Sequence, residues 1–126
     1  MNAYLDTQVF IWLCQNQLDR LTPAARRTIE QADLLVSPMV LLELEYLYEI
    51  GRLLQPPHPL LAHLQKQIGL RVCDYPFASV IETALFETWT RDPFDRVIAA
   101  HAKASNFSPL VTSDPRIRQQ YPRAVW

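Results

Sequence analysis

At 126 residues the chain has the length of one domain, enough to bury roughly two-thirds of its unfolded surface. A hydrophobic content of 49% beside 20% charged residues excludes a disordered chain, and a net charge of −1 gives no bulk electrostatic sign of a nucleic-acid or membrane binder. No stretch approaches the ~18 uninterrupted apolar residues of a membrane span and no secretory signal opens the chain, so a cytoplasmic protein is expected.

Asn2-Ala3-Tyr4-Leu5-Asp6-Thr7 is a short apolar run that ends in an acid. It reads as the first, central strand of a parallel sheet with Asp6 at its C-terminal edge, where open α/β sheets bind ligands. Gln8 to Asn16 is apolar on almost every side and predicts a buried helix. Thr22 as N-cap and Pro23 at the first helical position open a second helix, Ala24 to Gln31. Ala32 to Val36 is a second strand. Ser37-Pro38 repeats the cap-and-proline signal, and the helix it opens runs to about Ile50, where Gly51 is a natural stop. Gln55-Pro56-Pro57-His58-Pro59 is expected to be a loop. Leu60 to Gln67 follows as a short helix and Gly69 to Cys73 as a third strand. Pro76 to about Trp89 is a helix, and Asp92-Pro93 starts another that reaches roughly Ser105. Ser108 to Thr112 is a fourth strand ending at Ser113-Asp114. Asp114-Pro115 opens a last short helix, and Ala124 to Trp126 adds an edge strand. The alternation predicts one α/β domain over residues 1–126, with helices on both faces of a parallel sheet of four to five strands.

Three aspartates share one kind of position: Asp6, Asp92 and Asp114 each stand just ahead of a helix, two of them before proline. Helix capping accounts for each of them singly, and Asp95 fits as a first-turn acid favoured by the helix dipole. Glu43 does not yield to that explanation. Its helical neighbours are Met39, Val40, Tyr46, Leu47 and Ile50, all apolar or aromatic, whereas Glu45 and Glu49 belong to a solvated face. A lone carboxylate against such a stripe is costly unless a cation or several donors meet it; Arg96 is one protein cation that offers itself.

One explanation joins the five acids. Crowded together they repel, and divalent cations relieve that repulsion. Oxygen ligands without thiolate or clustered imidazole select hard ions, Mg²⁺ or Mn²⁺. Such a site suits phosphodiester hydrolysis.

With these residues in place, the sequence resembles the PIN-domain ribonucleases, especially the VapC-type toxins of bacterial toxin–antitoxin pairs. The likeness covers nearly the whole chain: Tyr4-Leu5-Asp6-Thr7 at the opening strand, Ser37-Pro38 followed by Glu43, Asp92-Pro93-Phe94-Asp95-Arg96 as the most specific run, Leu110-Val111-Thr112-Ser113-Asp114, and the terminal Ala124-Val125-Trp126. The resemblance implies a three-layer α/β/α fold and metal-binding, catalytic roles for Asp6, Glu43, Asp95 and Asp114. It makes Asp92 an accessory acid, and Thr7 and Thr112 hydroxyls that orient carboxylates. It further implies an RNA substrate, a homodimer and a cognate antitoxin lying along the segment from Leu41 to Leu54, which otherwise reads simply as core. Gln8 departs from the histidine often found there in this subgroup, which leaves position 8 without a role.

Other chemistries have less support. His58, His63 and His101 have no suitable nucleophile beside them in sequence, and Cys14 and Cys73 read as small buried hydrophobes. Ten arginines against two lysines favour phosphate contacts, with Arg91, Arg96, Arg116 and Arg118 flanking the acids and Arg96 and Arg116 the candidates for RNA phosphates, although solvated helix surfaces also use arginine. A haloacid-dehalogenase-type phosphatase needs an aspartate where Gln8 stands, and a receiver domain needs a lysine after a late strand. The serious rival is a PIN fold that binds RNA or protein without cutting, usually marked by lost acids; here none is missing.

Overall fold

Ala3, Tyr4 and Leu5 are almost wholly buried, which leaves their strand no solvent face and places it in the middle of a sheet. A computed structural model covering residues 1–126 shows that arrangement. The elements in chain order are β1 (Asn2–Leu5), α1 (Thr7–Cys14), a 3₁₀ turn (Leu18–Arg20), α2 (Pro23–Gln31), β2 (Asp33–Val36) and α3 (Pro38–Glu49). There follow α4 (Pro57–Ile68), β3 (Arg71–Val72), α5 (Phe77–Ala84), α6 (Pro93–Ala104), β4 (Leu110–Val111), α7 (Pro115–Gln120) and β5 (Ala124–Val125). The five strands run parallel in the order β3-β2-β1-β4-β5, flanked by helices in the expected three-layer α/β/α form.

Strand order decides where the acids meet. Tyr4 pairs with Leu110 and Leu5 with Val111, so Asp6 emerges from β1 beside Thr112 at the end of β4. The Asp6 amide continues the ladder by donating to the Val111 carbonyl at 3.0 Å. One apolar core holds the sheet to its helices; Phe10, Val36, Val40, Leu44, Ile98 and Ile117 contribute to it with no exposed surface. Ser37 caps α3 by accepting from the Met39 amide at 3.1 Å, and its hydroxyl also meets His101 Nδ1 at 2.9 Å, tying α3 to α6. Burial lowers the His101 pKa.

Three boundaries differ from the sequence expectation, each for a physical reason. The proline-rich segment is not all loop: α4 begins at Pro57, so His58 and Pro59 lie in its first turn. Proline's missing N–H is harmless there, because the first-turn amides have no intrahelical partner. Gly69 ends α4 in the left-handed region at φ 68° and does not open β3, which is correspondingly short. The helix expected to reach Trp89 stops at Ala84.

The Arg96 guanidinium explains that early stop. Its Nε donates to the Ala84 carbonyl at 2.8 Å, and its Nη atoms donate to Leu85 at 3.1 Å and Thr90 at 3.5 Å. Arg96 therefore closes the end of α5 and is not the counter-ion of Glu43. Nearby, Glu87 is buried between Lys103 Nζ at 2.8 Å and Trp89 Nε1 at 2.7 Å, which fixes the irregular path to α6. Arg96→Ala is predicted to cost about 2 kcal/mol in urea unfolding. Lysine at this position should recover only part of that loss, since an ammonium does not present the fork; full recovery by Arg96→Lys would contradict the capping role.

Candidate active site

The carboxylates collect at the C-terminal edge of β1 and β4, each placed by a local rule. Asp6 is 6% exposed and caps α1, Oδ1 accepting from the Thr7 amide at 2.8 Å. Its Oδ2 accepts from the fully buried Thr112 hydroxyl at 2.7 Å. The Thr7 hydroxyl donates to Glu43 Oε1 at 2.5 Å, which joins α1 to α3. Thr7 and Thr112 thus each donate a hydroxyl hydrogen bond to a carboxylate. Tyr46, three residues beyond Glu43, packs on Phe94 with ring centroids 5.9 Å apart, which brings α3 against the start of α6.

Asp92 and Asp114 cap α6 and α7 in the same way. Asp92 Oδ1 accepts from the amides of Phe94 at 2.8 Å and Asp95 at 3.2 Å. Asp114 Oδ1 accepts from those of Arg116 at 2.8 Å and Ile117 at 3.0 Å. Each cap uses one oxygen, so capping and ligand binding are compatible at both residues. Asp92, Asp95 and Asp114 line an open cleft of about 490 Å³ together with Thr90, Pro115, Arg116 and Gln119, and no hydrophobic side chain enters it.

Two of these lining residues were not singled out in the sequence. Thr90 is 2% exposed and its hydroxyl accepts from the Asp92 amide at 3.1 Å, as Thr112 accepts from Asp114 at 3.1 Å. The segments Thr90-Arg91-Asp92-Pro93 and Thr112-Ser113-Asp114-Pro115 are therefore one device used twice, and the repeated Thr-x-Asp-Pro spacing was the signal. Gln119 carried no such signal.

No protein cation balances the acids: the chain's single ion pair is Lys103 with Glu87. Burial raises the pKa of Asp6, and Asp114 and Asp92 push it further against the hydrogen bonds from Thr112 and Thr7. Burial likewise raises Glu43, with Asp6, Asp92 and Asp114 adding to it while the Thr7 bond opposes. Asp95 is pushed up to about 7, first by burial and then by Asp92, Asp6, Asp114 and Glu43. These groups sense one another, yet no three of them close into a ready-made metal cage.

The pH dependence of stability follows. Unfolded, Asp95 titrates near 3.9; folded, near 7. The native state holds the proton more tightly, so this contribution is fully present below about pH 4 and lost as pH rises through 7. Raised Asp6 and Glu43 act in the same direction. With divalent cations chelated, the protein is predicted to be less stable to urea at pH 8 than at pH 5.5, and Asp95→Asn to shrink the difference. Equal pH slopes in the two proteins would contradict this.

Residues 3–121 match the family model described as PIN domain. Among solved structures, a chain of the Rickettsia felis VapBC2 complex bound to a promoter DNA fragment is similar at TM-score 0.65 and 19% identity, covering 98% of this chain and 96% of that one. A chain of the DNA-bound Salmonella typhimurium VapBC complex is similar at TM-score 0.57 and 24% identity, covering 98% and 95%. A chain of VapBC-1 from nontypeable Haemophilus influenzae gives 0.58 and 19%, covering 95% and 92%. No curated protein matches the chain at a significant level. The family match spans the central strand, α3, the Asp92–Asp95 turn and Asp114, and by that match the chain belongs to the PIN domain family.

Proposed function

We propose that this protein is an Mg²⁺- or Mn²⁺-dependent endoribonuclease acting as the toxin of a toxin–antitoxin pair. The observation that carries the reading is the set of carboxylates Asp6, Glu43, Asp95 and Asp114, gathered at one sheet edge without a protein counter-ion. The donors are all oxygen, which suits a hard divalent cation. A cation bound there supplies Lewis-acid stabilisation of the phosphoryl charge and acidifies water.

Within that proposal each residue has a task. Asp6, Glu43, Asp95 and Asp114 hold the cation, and Asp92 adds negative charge beside Asp95. Thr112 and Thr7 fix the Asp6 and Glu43 carboxylates so that their oxygens keep one orientation. Arg116, exposed on the cleft wall, takes an RNA phosphate. Arg96 is left out of the RNA contacts, since its guanidinium is already directed at three carbonyls.

The partners are proposals of the same kind. On α3 and just beyond it Leu42, Tyr46, Ile50 and Leu54 are 49–97% exposed, while Leu44 is buried. This apolar strip supports an antitoxin lying along Leu41 to Leu54, and likeness to chains of VapBC complexes supports the pairing. Phe77, Leu85 and Phe86, 51–79% exposed at α5, support a homodimer. No helix is long and apolar enough to cross a membrane, and a cytoplasmic site of action accords with an RNA substrate.

Mapping RNA 5′ ends in cells producing the protein tests the reading. Wild type should create new 5′ ends and arrest growth, whereas Asp6→Asn and Asp95→Asn should do neither. Arrest by the Asp6→Asn protein without new ends would favour a PIN module that binds but does not cut. In purified, antitoxin-free protein, Thr112→Val should lower metal-dependent cleavage roughly 10–100-fold and also lower the melting temperature, because Asp6 Oδ2 loses its donor, whereas Thr112→Ser should keep most of both. Unaltered cleavage would remove Thr112 from the site.

A further inference from the structure

A separate cavity lies toward the β3 edge of the sheet. Tyr4 pairs with Leu35 and Leu35 with Arg71, so these three side chains form one cross-strand row on one face. Cys73, two residues past Arg71, falls on the same face, and its amide extends the ladder by donating to the Val36 carbonyl at 2.9 Å. The row floors an open cavity of about 780 Å³. Its walls are Ser105 and Asn106 at the end of α6, Gln65 of α4, and Asp74 and Tyr75 after β3. It shares no lining residue with the acid cleft.

The floor is fixed and the rim is free. The buried Tyr4 hydroxyl stands 2.8 Å from Cys73 Sγ and 2.7 Å from Ser105 Oγ, which ties β1 to the end of β3 and to α6. Tyr75 donates its amide to the same sulfur at 3.4 Å and leaves its ring side 40% exposed. Asn106 and Phe107 both take left-handed backbone, at φ 61° and 52°, and Phe107 packs there on Tyr121 at a centroid distance of 5.5 Å. Around this frame Arg71 and Asp74 are exposed, and neither has an ion-pair partner.

That inventory selects among ligands. The Arg71 guanidinium suits a phosphate through its planar fork. The Asp74 carboxylate accepts from neighbouring hydroxyls, such as those of a ribose. The carboxamides of Gln65 and Asn106 both donate and accept, as the edge of a nucleobase requires, and the Tyr75 ring offers a stacking face. The volume lies within the roughly 300–1,000 Å³ of small-ligand sites. A lipid chain would have to desolvate the guanidinium and the carboxylate, and a sugar phosphate would leave the ring unused.

We propose that this cavity binds a nucleoside monophosphate, with its phosphate on Arg71, its ribose hydroxyls on Asp74, and its base against Tyr75 beside Gln65 and Asn106. The site uses neither the acid set nor a divalent cation, so it stands or falls apart from the ribonuclease reading.

Isothermal titration calorimetry with adenosine and guanosine 5′-monophosphates, in EDTA, tests it on the wild-type and Asp6→Asn proteins. At least one nucleotide should bind saturably, and equally to both proteins. Arg71→Ala should weaken that binding about 10–100-fold, to the level of the unphosphorylated nucleoside, and Arg71→Lys should recover part of it. Tyr75→Ala should weaken nucleotide and nucleoside alike, about 5–100-fold. Asp74→Asn should erase any preference over the 2′-deoxynucleotide. All three residues are exposed, so these variants should keep the wild-type melting curve, and the three losses test the site independently. No binding in EDTA, unchanged binding in the folded Arg71→Ala protein, or inorganic phosphate bound as tightly as the nucleotide would each overturn the proposal. Binding that needs Mg²⁺ and disappears in Asp6→Asn would place the nucleotide at the acids and overturn it equally. A 5′-phosphorylated trinucleotide should bind no more tightly than the mononucleotide; tighter binding would make the surface an RNA contact instead.

Discussion

A carboxylate set deep in a protein needs donors, and Asp6 takes its from the chain's own topology. β1 pairs with β4 in a register that brings the Thr112 hydroxyl to 2.7 Å from Oδ2, while the start of α1 supplies the Thr7 amide at 2.8 Å to Oδ1. Two short bonds allow a residue that is 6% exposed to sit where the central strand ends. The order β3-β2-β1-β4-β5 makes the arrangement available, since it places β4 beside β1 although more than a hundred residues separate Asp6 from Thr112. From that corner Thr7 reaches Glu43 and fixes α3, and the β4 end positions Asp114.

The same geometry creates an imbalance that the protein leaves standing. The surrounding carboxylates push up the proton affinities of Asp6, Glu43 and Asp95, and no protein cation forms an ion pair with any of the five acids. Arg96, next in sequence to Asp95, turns to the carbonyls at the end of α5; Lys103 turns to Glu87. Helix capping accounts for one oxygen of Asp92 and of Asp114, and the others face an open cleft. Local folding rules thus place the carboxylates, and no protein counter-ion answers them.

How much of this was legible in the sequence depended on the range of the interaction. The Asp-Pro and Ser-Pro cap signals are local, and they located the starts of α3, α6 and α7 to the residue. Glu43 stood out because its helical neighbours are apolar, a pattern of short range. The fold class and strand alternation followed from the same kind of pattern, and the family match agrees with them. Arg96 could not be placed, because its carbonyl partners at Ala84 and Leu85 lie 12 and 11 residues earlier and exist only once α5 and α6 pack. Thr90 was written in the sequence as the twin of Thr112 but lacked a strand to draw notice to it. Pro57 and Pro59 misled because proline blocks a helix interior but not its first turn.

The central claim is that these carboxylates form one divalent-cation site, and Mn²⁺ binding followed by electron paramagnetic resonance measures it without reference to any RNA. Adding chelator-treated protein to Mn²⁺ should remove the free-ion signal, and Mg²⁺ should restore it by competition. Asp6→Asn, Glu43→Gln and Asp95→Asn proteins should each leave most of the signal in place. Signal loss equal to wild type in all three variants, or none with the wild-type protein, would contradict the account.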